Sequence, residues 1–144
     1  MSAEPVITRS TPSTAEQEFL EDRLYEFNCA QTGRDDGQLF AFMIRTEGEQ
    51  IIAGISGWTW AQACEIGKLW VHSSCRGQGY GRRPLESAER EAQARGCKVI
   101  FLSSYSFQAP GFYQKNGYEL AYQLNDFPPG HRYCFLVKRL VDLA

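Results

Sequence analysis

Apolar residues recur along the chain with two different periods. Phe19, Leu20, Leu24 and Phe27 fall at helical spacing and give one apolar face. Ser13 or Thr14 can cap that helix, Thr14 and Gln17 having the spacing of a capping box, and the Gly33-Arg34-Asp35-Asp36-Gly37 cluster ends it in a loop. Ahead of it, Val6-Ile7-Thr8-Arg9 reads as a first strand. Gln38 to Thr46 and Gln50 to Trp60 read as two further strands, with Glu47-Gly48-Glu49 as a short hairpin loop and Gly48 at its positive-φ position. Another strand runs from about Glu65 to His72. A helix over Gly81 to Arg95 turns Leu85, Ala88 and Ala92 inward, pairs Glu86 with Arg90 and Glu91 with Arg95, and stops at Gly96. Val99 to Leu102 is apolar throughout, as in a strand buried on both faces. A short helix, Pro110 to Lys115, ends at Asn116-Gly117, where both residues tolerate a left-handed backbone. Tyr118 to Leu124 and Tyr133 to Arg139 are the last strands, joined by a loop over Asp126-Phe127-Pro128-Pro129-Gly130. This order predicts an α/β fold, a mixed sheet with helices on its faces.

Composition narrows the class. The chain has 144 residues, 43% of them hydrophobic and 22% charged, which suits one globular domain over 1–144 with an ordinary core. A net charge of −2 and a pI near 5.7 argue against nucleic acid as partner. The longest apolar run, Leu39 to Ile44, is too short to span a membrane. The start, Met1-Ser2-Ala3-Glu4-Pro5, shows no signal peptide, which points to the cytoplasm. Cys29, Cys64, Cys75, Cys97 and Cys134 are scattered, and His72 and His131 lie far apart, so the expectation is reduced thiols and no metal site.

The most informative stretch runs from Leu69-Trp70-Val71-His72 through Ser73-Ser74-Cys75-Arg76-Gly77-Gln78-Gly79-Tyr80-Gly81-Arg82. Here a strand enters a glycine-rich turn that opens a helix. Such a turn offers unpaired N–H groups at the positive end of a helix dipole, and glycines let an anion approach them. It predicts a phosphate or pyrophosphate site, with Arg76, Arg82 and Arg83 adding charge. The P-loop pattern G-x-x-x-x-G-K-[ST] is absent. The dinucleotide fingerprint fails as well, because Gly77 and Gly79 would need a glycine at position 82, which is Arg82.

What remains, Arg76-x-x-Gly79-x-Gly81, resembles the acyl-CoA signature of the GNAT superfamily of N-acetyltransferases, [Q/R]-x-x-G-x-[G/A]. A second family element, F/L-Y-x-x-x-G-F/Y, is matched by Phe112-Tyr113-Gln114-Lys115-Asn116-Gly117-Tyr118 after a buried strand. The resemblance covers about Val6 to Leu140. It implies the GNAT fold, a mixed and mostly antiparallel sheet with helices on both faces, and acetyl-CoA as co-substrate without a metal. It implies that Leu69-Trp70-Val71 pairs with the pantetheine arm and that Arg76, Gly77, Gln78, Gly79, Tyr80, Gly81 and Arg82 hold the diphosphate. Two positions depart from the pattern. Pro84 stands where an aliphatic helix residue is usual, and Ser106 stands where many relatives carry an asparagine near the pantetheine. Ser106 is expected to cap the short helix or to touch cofactor.

Acetyl transfer to an amine needs a base for the ammonium proton, an N–H to polarise the thioester carbonyl and an acid for the leaving thiolate. By resemblance Tyr113 is the acid and the Val71 N–H polarises the carbonyl. Glu65, eleven residues before Arg76, is the candidate base; period-two alternation would place it on one face with Gly67, Leu69 and Val71. Trp58, Trp60, Tyr105, Phe107, Asp126 and His131 are acceptor-site candidates, aromatics beside a carboxylate suiting a cationic amine. The leading expectation is transfer to a small-molecule primary amine by direct attack in a ternary complex. A protein- or peptide-directed transferase and a non-catalytic acyl-CoA sensor are the alternatives. Exposed strand edges make a homodimer conceivable.

Overall fold

Ser13 accepts a hydrogen bond from the Glu16 N–H at 3.1 Å and so fixes the start of α1, Thr14–Thr32. The capping pair is therefore Ser13 with Glu16, one residue earlier than the Thr14–Gln17 spacing. Gly33 closes the other end, its N–H bonding the Cys29 carbonyl. The computed structural model describes residues 3–140, and they divide into two compact units, one ending at Asp35 and the next beginning at Asp36. In the first unit, Val6 to Arg9 is an exposed segment without regular structure rather than a strand. A strand exists only through a partner's ladder, and this unit supplies none. Phe19, Leu20, Leu24 and Phe27 do form one apolar row on α1, and they are 58–63% exposed.

The second unit is built on a six-stranded sheet in the order β1-β2-β3-β4-β6-β5. Its strands are β1 (Gln38–Arg45), β2 (Ile51–Trp60), β3 (Ala63–Val71), β4 (Val99–Tyr105), β5 (Glu119–Asn125) and β6 (Arg132–Arg139). Only β3 and β4 run parallel; every other pair is antiparallel. The β1–β2 turn takes its positive φ at Glu49 (67°), not at Gly48. The Thr46 hydroxyl accepts the Gln50 N–H inside this turn and shapes it without help from Gly48.

Between β3 and β4 lies α2 (Arg82–Ala94), and between β4 and β5 lies α3 (Pro110–Lys115). Leu85, Ala88 and Ala92 of α2 are fully buried with Ile55, Cys64, Ile66, Ile100, Leu102 and Leu136. Tyr113 of α3 joins the same cluster, so both helices pack on one face of the sheet. Pro84 is the third residue of α2, where its absent N–H has no partner within the helix, and the helix runs on undisturbed. Glu91 pairs with Arg95 as the spacing predicts, but Glu86 pairs backwards with Arg82 at 2.8 Å rather than with Arg90. Arg95 also reaches the Gln38 and Leu39 carbonyls and the hydroxyl of buried Thr59, tying the end of α2 to β1 and β2.

One irregularity shapes everything that follows. Ser56 pairs with Lys68 but Gly57 pairs with Ile66, so Gly67 is an extra residue on β3. The alternation slips there, and the core-facing residues become Cys64 and Ile66 before it and Leu69 after it. A Cβ on Gly57 would collide with the Glu65 carbonyl oxygen at this point, so only glycine fits. β3 and β4 pair from Ala63–Val99 to Ile66–Leu102 and no further. Past the extra residue the two strands part.

Candidate active site

The parting strands open a cleft of about 820 Å³. Its walls are the outer half of β3, Leu102 to Ser104 of β4, the glycine-rich turn and the start of α3 with Phe112 and Tyr113. Backbone register aims one strand into it. His72 donates its N–H to the Ile52 carbonyl, and Ala53 pairs with Val71. Antiparallel pairs alternate between bonded and unbonded, so the N–H and C=O groups of Leu69 and Val71 point away from β2 and into the cleft. Those of Trp70 point at Gly54. Arg76 Nε donates to the Val71 carbonyl at 3.2 Å, which leaves the Val71 N–H open to a ligand.

The turn itself is held from outside. His72 Nδ1 accepts the Ser74 N–H, capping a short 3-10 turn over Ser73–Cys75, and the Gln78 amide donates to the Ser74 carbonyl. Gly77 and Gly79 sit at φ 76° and 83°, where a side chain is strained, and no atom lies within 4 Å of where their Cβ atoms would be. Among the described residues, none of the N–H groups from Gly77 to Arg82 bonds a backbone carbonyl. These amides sit at the N-terminus of α2. Lys68, Arg76 and Arg82 are the charged residues lining the cleft, and no carboxylate is among them. Open amides, a helix dipole and three cations, of which Arg82 is paired with Glu86, favour an anion at this end of the cleft.

At the cleft's other end Tyr113 is only 7% exposed. Burial pushes its phenol up to about 12, so it keeps its proton throughout the neutral range. Tyr113 is one of the residues that line the cleft. A thiolate released beside it would be desolvated in the same way, which keeps donor and acceptor matched.

Glu65 is placed differently from expectation. The extra residue at Gly67 inverts the alternation, so Glu65 does not share a face with Leu69 and Val71. It lies on the face opposite α2 and α3, in register with Trp58 of β2 and Phe101 of β4, whose rings meet edge-on at 6.0 Å. Trp60 is paired with Ala63, at the end of β3 remote from the cleft. Tyr105, Phe107 and His131 do come together: Tyr105 stacks on Phe107 at 5.3 Å, and His131 meets Phe107 at 5.0 Å. Phe127 and Tyr133 complete that cluster. Asp126 is turned inward on its own loop, accepting the Gly130 N–H. Ser106 does not cap α3; its hydroxyl accepts the Arg132 N–H and holds β4 to β6. Ala109 is the cap residue, and its N–H reaches Ser104 Oγ at 3.4 Å. Ser104 and Gln108, both in the cleft wall, were not singled out from sequence. Ser104 could have been: it is the polar residue in line with core-facing Ile100 and Leu102 on β4.

The profile of the acetyltransferase (GNAT) family matches residues 5–118. The blasticidin-S acetyltransferase of Streptomyces morookaense is 36% identical over 104 residues, 72% of this chain and 76% of that protein. The crystal structure of an acetyltransferase from Bacillus cereus superposes with a TM-score of 0.80 at 31% identity, covering 93% of this chain and 98% of that one. An aminoglycoside 6'-N-acetyltransferase solved with coenzyme A shares the fold, with a TM-score of 0.65 at 16% identity over 93% of this chain and 98% of the other. The chain belongs to the GNAT acetyltransferase family. It is an acetyl-CoA-dependent N-acetyltransferase.

Proposed function

We propose that the chain acetylates a primary amine of a small molecule by direct attack within a ternary complex. The observation that carries this reading is the cleft itself: open amides and cations at one end, a protonated, buried Tyr113 at the other. In this reading the amides from Gly77 to Arg82 take the diphosphate, and the main chain of Leu69 and Val71 pairs with the pantetheine arm. The Val71 N–H polarises the thioester carbonyl. The amine nitrogen bonds to the carbonyl carbon as the C–S bond breaks. The departing thiolate takes the Tyr113 proton, and the amine's surplus proton passes to Glu65, directly or through one water.

A recess on the sheet supports a small acceptor. Leu39, Ala41, Ser56 and Trp58 line about 530 Å³, and this recess shares Gly67 and Lys68 with the cleft. Glu65 lies in register with Trp58 beside it. The similarity to a blasticidin-S acetyltransferase favours the same substrate class. The test is CoA release from acetyl-CoA over a panel of amines and peptides, with Tyr113→Phe and Glu65→Gln beside the parent chain. Tyr113→Phe is expected to lower kcat by about 10²-fold with little change in KM for acetyl-CoA. Glu65→Gln is expected to lower kcat with little change in KM for acetyl-CoA. Turnover confined to peptides would sink the small-molecule reading, and binding without turnover would sink the catalytic one.

A further inference from the structure

Lys138 stands on β6, outside the cleft, yet its ammonium joins the two helices that shape it. It donates to Glu89 Oε2 at 2.6 Å and to the Asn116 carbonyl at 2.9 Å. Glu89 belongs to α2, whose N-terminus opens on the glycine-rich turn. Asn116 ends α3, the helix that carries Tyr113, and its own amide reaches back to the Phe112 carbonyl at 2.8 Å. The ammonium also lies 5.4 Å from the centre of the Tyr118 ring, and Tyr118 meets Tyr113 edge-on at 5.7 Å. Of these three contacts from one nitrogen, one is anchored on α2 and the other two bear on the end of α3 and on the ring that Tyr113 packs against.

The pair is largely withdrawn from water: the Lys138 side chain is 26% exposed and that of Glu89 17%. An ion pair in open solvent fixes little, because both long side chains wander. A half-buried pair whose ammonium has a further carbonyl acceptor is held in one geometry. Packing alone does not call for it, since an aliphatic side chain of similar volume could fill such a site. The charge therefore needs another reason.

We infer that Lys138, anchored by Glu89, is a positioning residue for acetyl transfer: it locks the C-terminal end of α3, and with it the Tyr113 hydroxyl, against the helix that receives the diphosphate. This rests on Tyr113 being the proton donor. Small displacements of a donor weaken the chemical step far more than they weaken binding of a large co-substrate.

A double-mutant cycle in the full chain separates this role from ordinary stabilisation. Lys138→Met is expected to lower kcat about tenfold while KM for acetyl-CoA stays within about twofold. Lys138→Arg, which can keep both bonds, restores most of the rate. In the Tyr113→Phe background, Lys138→Met is expected to do nothing more, because the group it positions is gone. An equal loss in both backgrounds overturns the proposal, as does a Lys138→Met chain with unchanged kcat. Should Lys138→Met fail to fold, Glu89→Gln is carried through the same cycle and judged on the same non-additivity. If Tyr113→Phe alone leaves kcat unchanged, the reading of Tyr113 falls and the brace falls with it. A loss at Tyr113 with none at Lys138 removes the brace only.

Discussion

Two tyrosines five residues apart, Tyr113 and Tyr118, are both buried, and their surroundings differ. Tyr113 lines the cleft. The hydroxyl of Tyr118 is enclosed, with no hydrogen-bond partner among the described residues. Burial pushes the Tyr118 phenol upward, and the nearby Glu89 carboxylate pushes it further. An enclosed hydroxyl without a partner has lost its water and gained nothing in return. Tyr118→Phe is therefore expected to raise stability by about 1 kcal/mol, read as a higher urea midpoint with the slope unchanged. The ring, not the oxygen, is what Tyr113 packs on, so activity should persist. Residue identities of this kind were the most legible part of the site. Tyr113 followed from a local motif, and the turn from Arg76 to Arg82 followed from the need for glycine at fixed backbone angles. Glu65 was misplaced because alternation counts residues, and one uncounted residue reverses it.

Among the elements, the glycine-rich turn and α2 act as one device. Gly79 has open space where a Cβ would stand, so its strain is purely conformational. Gly79→Ala should destabilise the free chain by about 1 kcal/mol. It should also abolish most of the rise in melting temperature that acetyl-CoA gives the parent, since a methyl group would occupy the approach to the amides. Acetyl-CoA at about a hundred times its Kd should stabilise the parent by about 2.7 kcal/mol. A turn variant that melts lower yet gains as much from acetyl-CoA would remove the turn from the binding site. Element existence was readable from periodicity: α2, α3 and the strands lie within a few residues of their predicted spans. Val6 to Arg9 was not, because β-propensity describes fitness for a sheet and cannot supply the neighbouring strand. The place of the acceptor candidates was less readable for a related reason. Loop residues such as Asp126 are placed by hydrogen bonds within the loop, which leave no periodic trace.

Across the whole molecule, four buried titratable groups, Cys64, Cys97, Tyr113 and Tyr118, share a direction. Burial pushes the Cys64 thiol and the Tyr113 phenol each up to about 12, and raises Tyr118 and Cys97 as well. For each, the unfolded chain releases its proton first, near pH 9 for a thiol and pH 10 for a phenol. The folded chain then holds more protons than the unfolded one, and stability falls with rising pH. Melting temperature should be flat from pH 7 to about 8.5 and drop steadily between pH 9 and 12. Tyr118→Phe should lessen the drop, and a flat profile to pH 11 would contradict the assigned burial. No helix of the described residues is long and apolar enough to cross a membrane, and they contain no cluster suited to hold a metal ion.

Gly67 gives β3 two opposite handednesses of wiring within nine residues. Downstream of it, Leu69 turns its side chain toward the helices and its amide into the cleft. Upstream, the same count delivers a carboxylate to the other side. Excise that one glycine while the downstream half stays put, and the parity of Ala63 to Ile66 turns over. Cys64 and Ile66 would then be driven into water and Glu65 under the helices, so a single codon separates a strand that serves two surfaces from one that serves neither.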